Sequence, residues 1–140
     1  MILPIALTTA GAATILNLWL AGRISQLRIA RKIMIGDGGD PAMVARIRAQ
    51  GNFVEYAPFA VLLIGLIEFA RGTSLPLWLL AIAFLLARLA HPLGMDRPAP
   101  NPLRAGGILV SWLVLLALAA WALAIPYLGT AAPMELVPAG

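Results

Sequence analysis

No cysteine occurs among the 140 residues, and histidine occurs once, at His91. The first absence excludes disulfides, a protein thiolate nucleophile and cysteine-based metal centres. The second leaves too few imidazoles for a histidine metal cluster. Charge is scarce as well: Asp, Glu, Lys and Arg make up 11% of the chain, against 61% hydrophobic residues, where soluble domains average about 25% charged. A water-soluble fold of this length exposes much of its surface, and so few charges cannot cover it. With a mean hydropathy of +0.92, the natural solvent of this chain is the bilayer.

Four stretches are apolar enough to span. Met1 to Gly22 carries no charge, Ala49 to Ala70 carries only Glu55 and Glu68, Thr73 to Ala87 carries none, and Ala105 to Met134 carries none. A spanning helix takes about 20 mostly apolar residues, so the third stretch reaches that length only if Arg88 and His91 lie inside the helix. The first stretch lacks the basic start of a signal peptide. Asn17, Leu18 and Trp19 make a poor cleavage site, and the stretch reads as a retained helix. Gly36-Asp37-Gly38-Gly39-Asp40-Pro41 is a breaker cluster, with Asp40 suited to N-cap and Pro41 to the first helical position. Arg71-Gly72-Thr73-Ser74 reads as a tight hairpin. Pro92, Pro98, Pro100 and Pro102 are assigned to the third connection and stop the third helix near Met95. Pro126 ends or kinks the fourth, and the tail after Gly129 is expected to be disordered. Trp78, Trp112 and Trp121 are interface or packing aromatics. The expected architecture is all-α: one domain over residues 1–140, a transmembrane four-helix bundle with helices at about 1–30, 41–71, 74–95 and 103–128.

The net charge of +4 does not point to nucleic acid, because the basic residues sit where membrane orientation requires them. Arg23, Arg28, Arg31, Lys32, Arg46 and Arg48 cluster around the first connection, and Arg88, Arg97 and Arg104 around the third. The second connection has only Arg71, and neither terminus carries Lys or Arg. By the positive-inside rule the first and third loops are cytoplasmic and both termini lie outside. Contact with membrane lipid headgroups is the plain role for most of these arginines.

The chemically informative stretch is Arg48 to Pro58. At about 100° per residue, Arg48, Asn52, Glu55 and Tyr56 share one helix face, whereas Arg46, Gln50 and Glu68 point the opposite way. An ionisable residue inside the membrane is costly unless it is paired or faces a wet cavity. This face suits a small zwitterion: Arg48 forks onto a carboxylate, Glu55 accepts from an ammonium, and Asn52 and Tyr56 pair with peptide groups. The alternative is structural, with Arg48 and Glu55 paired across the bundle and Asn52 and Tyr56 bonding between helices. Glu68, three residues before Arg71, reads as a surface pair, and Asn17 as interhelical glue. Arg88 and His91, three apart, either line a site or pack within the bundle. Arg104 either opens a site at the start of the fourth helix or anchors that helix end to headgroups.

The stretch Arg48-Ala49-Gln50-Gly51-Asn52-Phe53-Val54-Glu55-Tyr56-Ala57-Pro58 resembles the second-helix R-x-x-x-N-x-x-E-x-x-P pattern of the MAPEG family, the membrane-associated proteins in eicosanoid and glutathione metabolism. The basic first loop with Gly36-Asp37-Gly38-Gly39-Asp40 and the stretch Arg88-Leu89-Ala90-His91-Pro92-Leu93-Gly94-Met95 are similar to bacterial members. The resemblance covers essentially the whole chain. It implies a homotrimer in a bacterial inner membrane, with glutathione as co-substrate held between neighbouring subunits. Arg48, Gln50, Asn52, Glu55 and Tyr56 match its glutathione-binding positions, and Arg88 and His91 belong to the same expected site. Arg28, or Arg23, matches the arginine from the end of the first helix. Arg104 matches the arginine proposed to activate the thiol. The chain departs from the eicosanoid synthases at His91 and Met95, where those enzymes carry tyrosines, and in its longer, proline-rich segment before Arg104.

The implied activity is that of a glutathione transferase or peroxidase. An arginine-stabilised glutathione thiolate would attack a hydrophobic small-molecule electrophile or a lipid hydroperoxide. The alternative is a non-enzymatic membrane protein that binds a lipid or small anionic metabolite on the second-helix polar face. A small drug or ion transporter with one embedded carboxylate is a third reading. The closeness of Glu55 to a helix end and to Arg48 argues against it.

Overall fold

A computed structural model describes residues 2–128. The expectations for the tail after Gly129, and for the apolar run as far as Met134, lie outside the described residues. Four helices account for the fold: α1 (Pro4–Arg31), α2 (Pro41–Arg71), α3 (Leu75–Met95) and α4 (Pro102–Leu128). All four are long and apolar enough to cross a membrane. Arg88 and His91 lie within α3, as its length requires.

The helix starts follow from local chemistry. The Asp40 side chain accepts from Ala42 N at 2.8 Å and Pro41 opens α2. This fills one of the orphan donors of a first turn with a group that a proline start needs. Asn101 does the same for α4, accepting from Leu103 N at 3.0 Å ahead of Pro102. The turn between α2 and α3 hinges on Gly72, whose φ of 78° suits a residue without a Cβ. Pro58, Pro92 and Pro126 are accommodated inside their helices, so Pro92 belongs to α3 and not to the third connection, and Pro126 does not end α4.

α2 and α3 form the centre of the bundle, each touching all the other helices, while α1 and α4 do not touch. Leu20, Phe53, Ile64, Leu77, Phe84 and Leu118 belong to the shared core. Large apolar side chains such as Leu62, Phe69, Leu79 and Leu116 point outward. An outward face this apolar is stable only against lipid or another subunit. Trp78 and Trp121 pack on the core, whereas Trp112 is exposed.

The face of α2 that carries Arg46, Gln50 and Glu68 is turned to α1. Arg46 Nη1 donates to Arg23 O at 2.6 Å, and Gln50 Nε2 reaches Asn17 Oδ1 at 3.5 Å. Asn17 is therefore interhelical, as its position suggested. Glu68 is a correction. It does not form a surface pair with Arg71. It is 1% exposed and accepts from Ile5 N at 3.0 Å, Ala6 N at 2.8 Å and Thr73 Oγ1 at 2.9 Å. α1 has no capping side chain of its own, and Glu68 fills that place from another helix.

α3 and α4 approach closely through two glycines. A Cβ on Gly94 would lie 2.8 Å from Arg104 Cα, and one on Gly107 would lie 2.8 Å from Ala87 O and 2.9 Å from His91 Cβ. The obstructing atoms on Gly94 are backbone and cannot swing aside, so small residues here let the helices meet. Gly94→Ala is therefore expected to cost about 1–3 kcal/mol by overpacking, read as a lowered thermal midpoint in detergent. A midpoint equal to wild type would show that α3 and α4 do not meet at this register.

Candidate functional site

A cleft of about 400 Å³ opens between the first half of α2, the end of α3, the 96–101 connection and the start of α4. Its side chains come from distant parts of the chain: Arg48 and Asn52 from α2, His91 and Met95 from α3, Asn101 from the connection, and Arg104 and Ile108 from α4. None of the described lining residues is acidic. Two guanidinium groups therefore share the cleft with the N-terminal end of α4, whose dipole adds positive potential. The arrangement is chemically an anion site.

His91 is held by one ring nitrogen: Nδ1 lies 3.1 Å from the Arg104 carbonyl oxygen. A carbonyl only accepts, so Nδ1 carries the proton. Arg104 itself is exposed, and its side chain forms no hydrogen bond or ion pair among the described residues. Arg48 is likewise exposed and unpaired. The structural alternative of an Arg48–Glu55 pair is thus not formed within the chain.

Arg88 lies behind the cleft rather than in it. It is 1% exposed. Its Nε donates to Ser111 Oγ at 2.8 Å, its Nη1 to Asn52 Oδ1 at 2.8 Å and its Nη2 to Gly107 O at 3.2 Å. The guanidinium also lies over the rings of Tyr56, at 5.5 Å, and Phe84, at 5.8 Å. Tyr56 therefore belongs to the shell around Arg88, and its ring does not line the cleft.

Four expected site residues stand apart from this group within one chain. Gln50 faces α1. Arg28 lies at the end of α1, where its Nη1 is buried without a hydrogen-bond partner. Arg23 is paired with Asp96 and stacked on Trp19. Glu55 is exposed and forms no hydrogen bond or ion pair among the described residues. It lies near the midpoint of the 31-residue α2, about 21 Å along it at 1.5 Å per residue, which corrects its expected closeness to a helix end. The other described carboxylates are engaged: Asp37 in its turn, Asp40 at the α2 cap, Glu68 at the α1 cap and Asp96 with Arg23.

Ser111 and Gly107 were not singled out from the sequence, yet both bind Arg88. The signal for Ser111 was present: it is the lone hydroxyl in the apolar run of α4 before Tyr127, and such a group seeks a partner on a neighbouring helix.

These features define an integral membrane protein, a four-helix bundle with an acid-free basic cleft at one end. The model of the MAPEG family matches residues 6–124, and the chain belongs to that family. It is similar to Inner membrane protein YecN of Escherichia coli (strain K12), with 30% identity over 93 residues covering 66% of this chain and 70% of that protein. The protein of the same name in Escherichia coli O6:H1 (strain CFT073) matches to the same extent.

Proposed function

We propose that this chain binds glutathione and catalyses attack of its thiolate on hydrophobic electrophiles or lipid hydroperoxides taken from the membrane. The observation that carries the reading is the convergence of Arg48, Asn52, His91 and Arg104 on one acid-free cleft. Its volume of about 400 Å³ falls within the range of roughly 300–1,000 Å³ typical of small-molecule sites. Glutathione offers two carboxylates to arginines, peptide oxygens to Asn52, and a thiol whose ionised form a nearby cation favours. In the conjugation reaction the S–H proton leaves to solvent. The sulfur lone pair then forms the S–C bond, and the electrophile's leaving group departs with the displaced electron pair. With a hydroperoxide the sulfur forms an S–O bond as the O–O bond breaks, the alkoxide leaves as alcohol with a proton from solvent, and a second glutathione converts the sulfenic acid to the disulfide and water.

Glu55 supports a site shared between subunits. A carboxylate exposed on a membrane helix without a partner is costly, and a ligand ammonium or a second copy of the chain would cover it. Arg28 and Gln50, which face away from the cleft within one chain, would serve a neighbour's ligand in the homotrimer that the family resemblance implies. The orientation reading, with the basic loops cytoplasmic and both termini outside, belongs to the same proposal. So does an inner-membrane location, supported by the name of the Escherichia coli relatives.

The second reading keeps the cleft and removes the reaction. An acid-free basic pocket is also suited to a lipid headgroup or a small anionic metabolite, and the names of the relatives give a location without an activity. Calorimetric titration of glutathione into purified protein separates the two. Wild type is expected to show saturable binding, and Glu55→Gln to bind about tenfold more weakly, the loss of one charge-assisted hydrogen bond of about 1.4 kcal/mol. Flat traces for both would overturn the glutathione reading and turn attention to co-purified lipid.

A further inference from the structure

The cleft contains an amide whose orientation is not free. Asn52 lines it, and Asn52 Oδ1 accepts from Arg88 Nη1 at 2.8 Å, with Asn52 O near the same nitrogen at 3.5 Å. A guanidinium has five donors and no acceptor. It can therefore hold the amide only by its oxygen, which leaves Nδ2 on the branch turned away from Arg88. Nδ2 has no partner among the described residues.

Arg88 is itself held too firmly to yield. The Ser111 hydroxyl gives its hydrogen to Gly107 O at 2.7 Å and so offers only a lone pair to Arg88 Nε. Gly107 O also accepts from Nη2, and aromatic rings of α2 and α3 lie against the guanidinium. No described carboxylate pairs with it. The planar fork thus spends its donors on two neighbouring helices, α2 and α4, and fixes one of those targets, Asn52, in a single sense.

We infer that Arg88 is a positioning residue: by gripping the Asn52 oxygen it turns the amide nitrogen into the cleft, so that Arg48, Asn52 and Arg104 all present donors and the wall selects carboxylate or carbonyl oxygen. The inference rests on the glutathione reading for its ligand, and it assigns to Arg88 a role that needs no contact with that ligand. It also gives a role to a buried arginine that has no described counterion behind a basic cleft. Its charge adds to the anion-attracting potential, and its geometry decides which end of the amide the ligand meets.

Asn52→Asp and Asn52→Ala test this in the full-length protein, because the two substitutions move stability and affinity in opposite directions. The aspartate keeps an oxygen on Arg88 and adds a charge to the pair, so its thermal midpoint is expected to equal or exceed that of wild type, with Asn52→Ala below both. For glutathione the order changes. Asn52→Ala loses one donor and about tenfold in affinity, and Asn52→Asp sets a second acceptor against the ligand oxygens and loses about 100-fold or more. If the Arg88–Asn52 link were structural alone, affinity would follow stability.

An Asn52→Asp midpoint below that of Asn52→Ala would overturn the link itself, whatever the ligand. Stable Asn52→Asp protein that binds glutathione as tightly as Asn52→Ala, or more tightly, would overturn the orientation. Wild-type protein that fails to bind glutathione would refute the functional reading instead. The midpoints would then decide alone whether Arg88 holds the Asn52 oxygen.

Discussion

Arg104→Ala is expected to slow glutathione conjugation by about two to three orders of magnitude, the usual effect of removing one group that stabilises a developing or reacting anion. Glutathione affinity is expected to fall by no more than about tenfold. Arg104 stands in the first turn of α4, exposed to the cleft, with no described carboxylate to neutralise it. Its guanidinium and the α4 N-terminus act on the same volume, and both favour a thiolate over a thiol. Arg48 and the Asn52 amide remain in the variant and continue to hold ligand oxygens, so binding and reactivity separate. The sign of the pH effect is fixed: removing a cation raises the pKa of the bound thiol, and the rate profile moves to higher pH. Steady-state kinetics across pH, with the thiolate followed by ultraviolet difference absorbance, checks both parts. Turnover like wild type at neutral pH would remove Arg104 from the chemistry. A rise in KM with kcat unchanged would make it a binding residue only.

Much of this arrangement was legible from the chain. The apolar runs gave four spanning helices, and the Asp40-Pro41 pair marked the start of α2 through the needs of its first turn. The helical wheel separated the two faces of α2. Arg48 and Asn52 reach the cleft, while Arg46, Gln50 and Glu68 reach α1. Such a wheel gives direction but not what waits there. Spacing alone pairs Glu68 with the nearest charged residue, Arg71, because three-residue spacing is a local rule. Its partners, Ile5 and Ala6, are set by the fold. Arg88 was legible as an unusual charge inside a spanning helix, but its separation from the cleft depends on Gly107 and Ser111 of α4, which only close helix packing brings within reach. Gln50 and Arg28 entered through the family resemblance, and one chain alone does not bring them to the cleft.

The same contrast yields the largest expected loss of stability. Glu68→Ala should destabilise the fold by about 2–4 kcal/mol, since it strips the acceptor from two first-turn N–H groups that have no partner within their helix. It also removes a negative charge from the positive end of α1. Glu68→Gln keeps one acceptor oxygen and turns an N–H₂ toward the remaining donor, so about half of that loss is expected. Arg71→Ala is the decisive control. A surface pair between Glu68 and Arg71 would be worth roughly 0.2–0.5 kcal/mol from either side, making the two alanine variants equally mild. The buried cap predicts a silent Arg71→Ala beside a severe Glu68→Ala, read as unfolding midpoints in detergent. Equal, small effects would mean that Glu68 does not cap α1 in the membrane. The cap joins the α1 N-terminus to the α2–α3 turn through Thr73, at the end of the bundle away from the cleft. Glu68→Ala protein kept cold enough to stay folded should therefore bind ligand like wild type, because the carboxylate that secures one end of the bundle adds no charge to the acid-free cleft at the other.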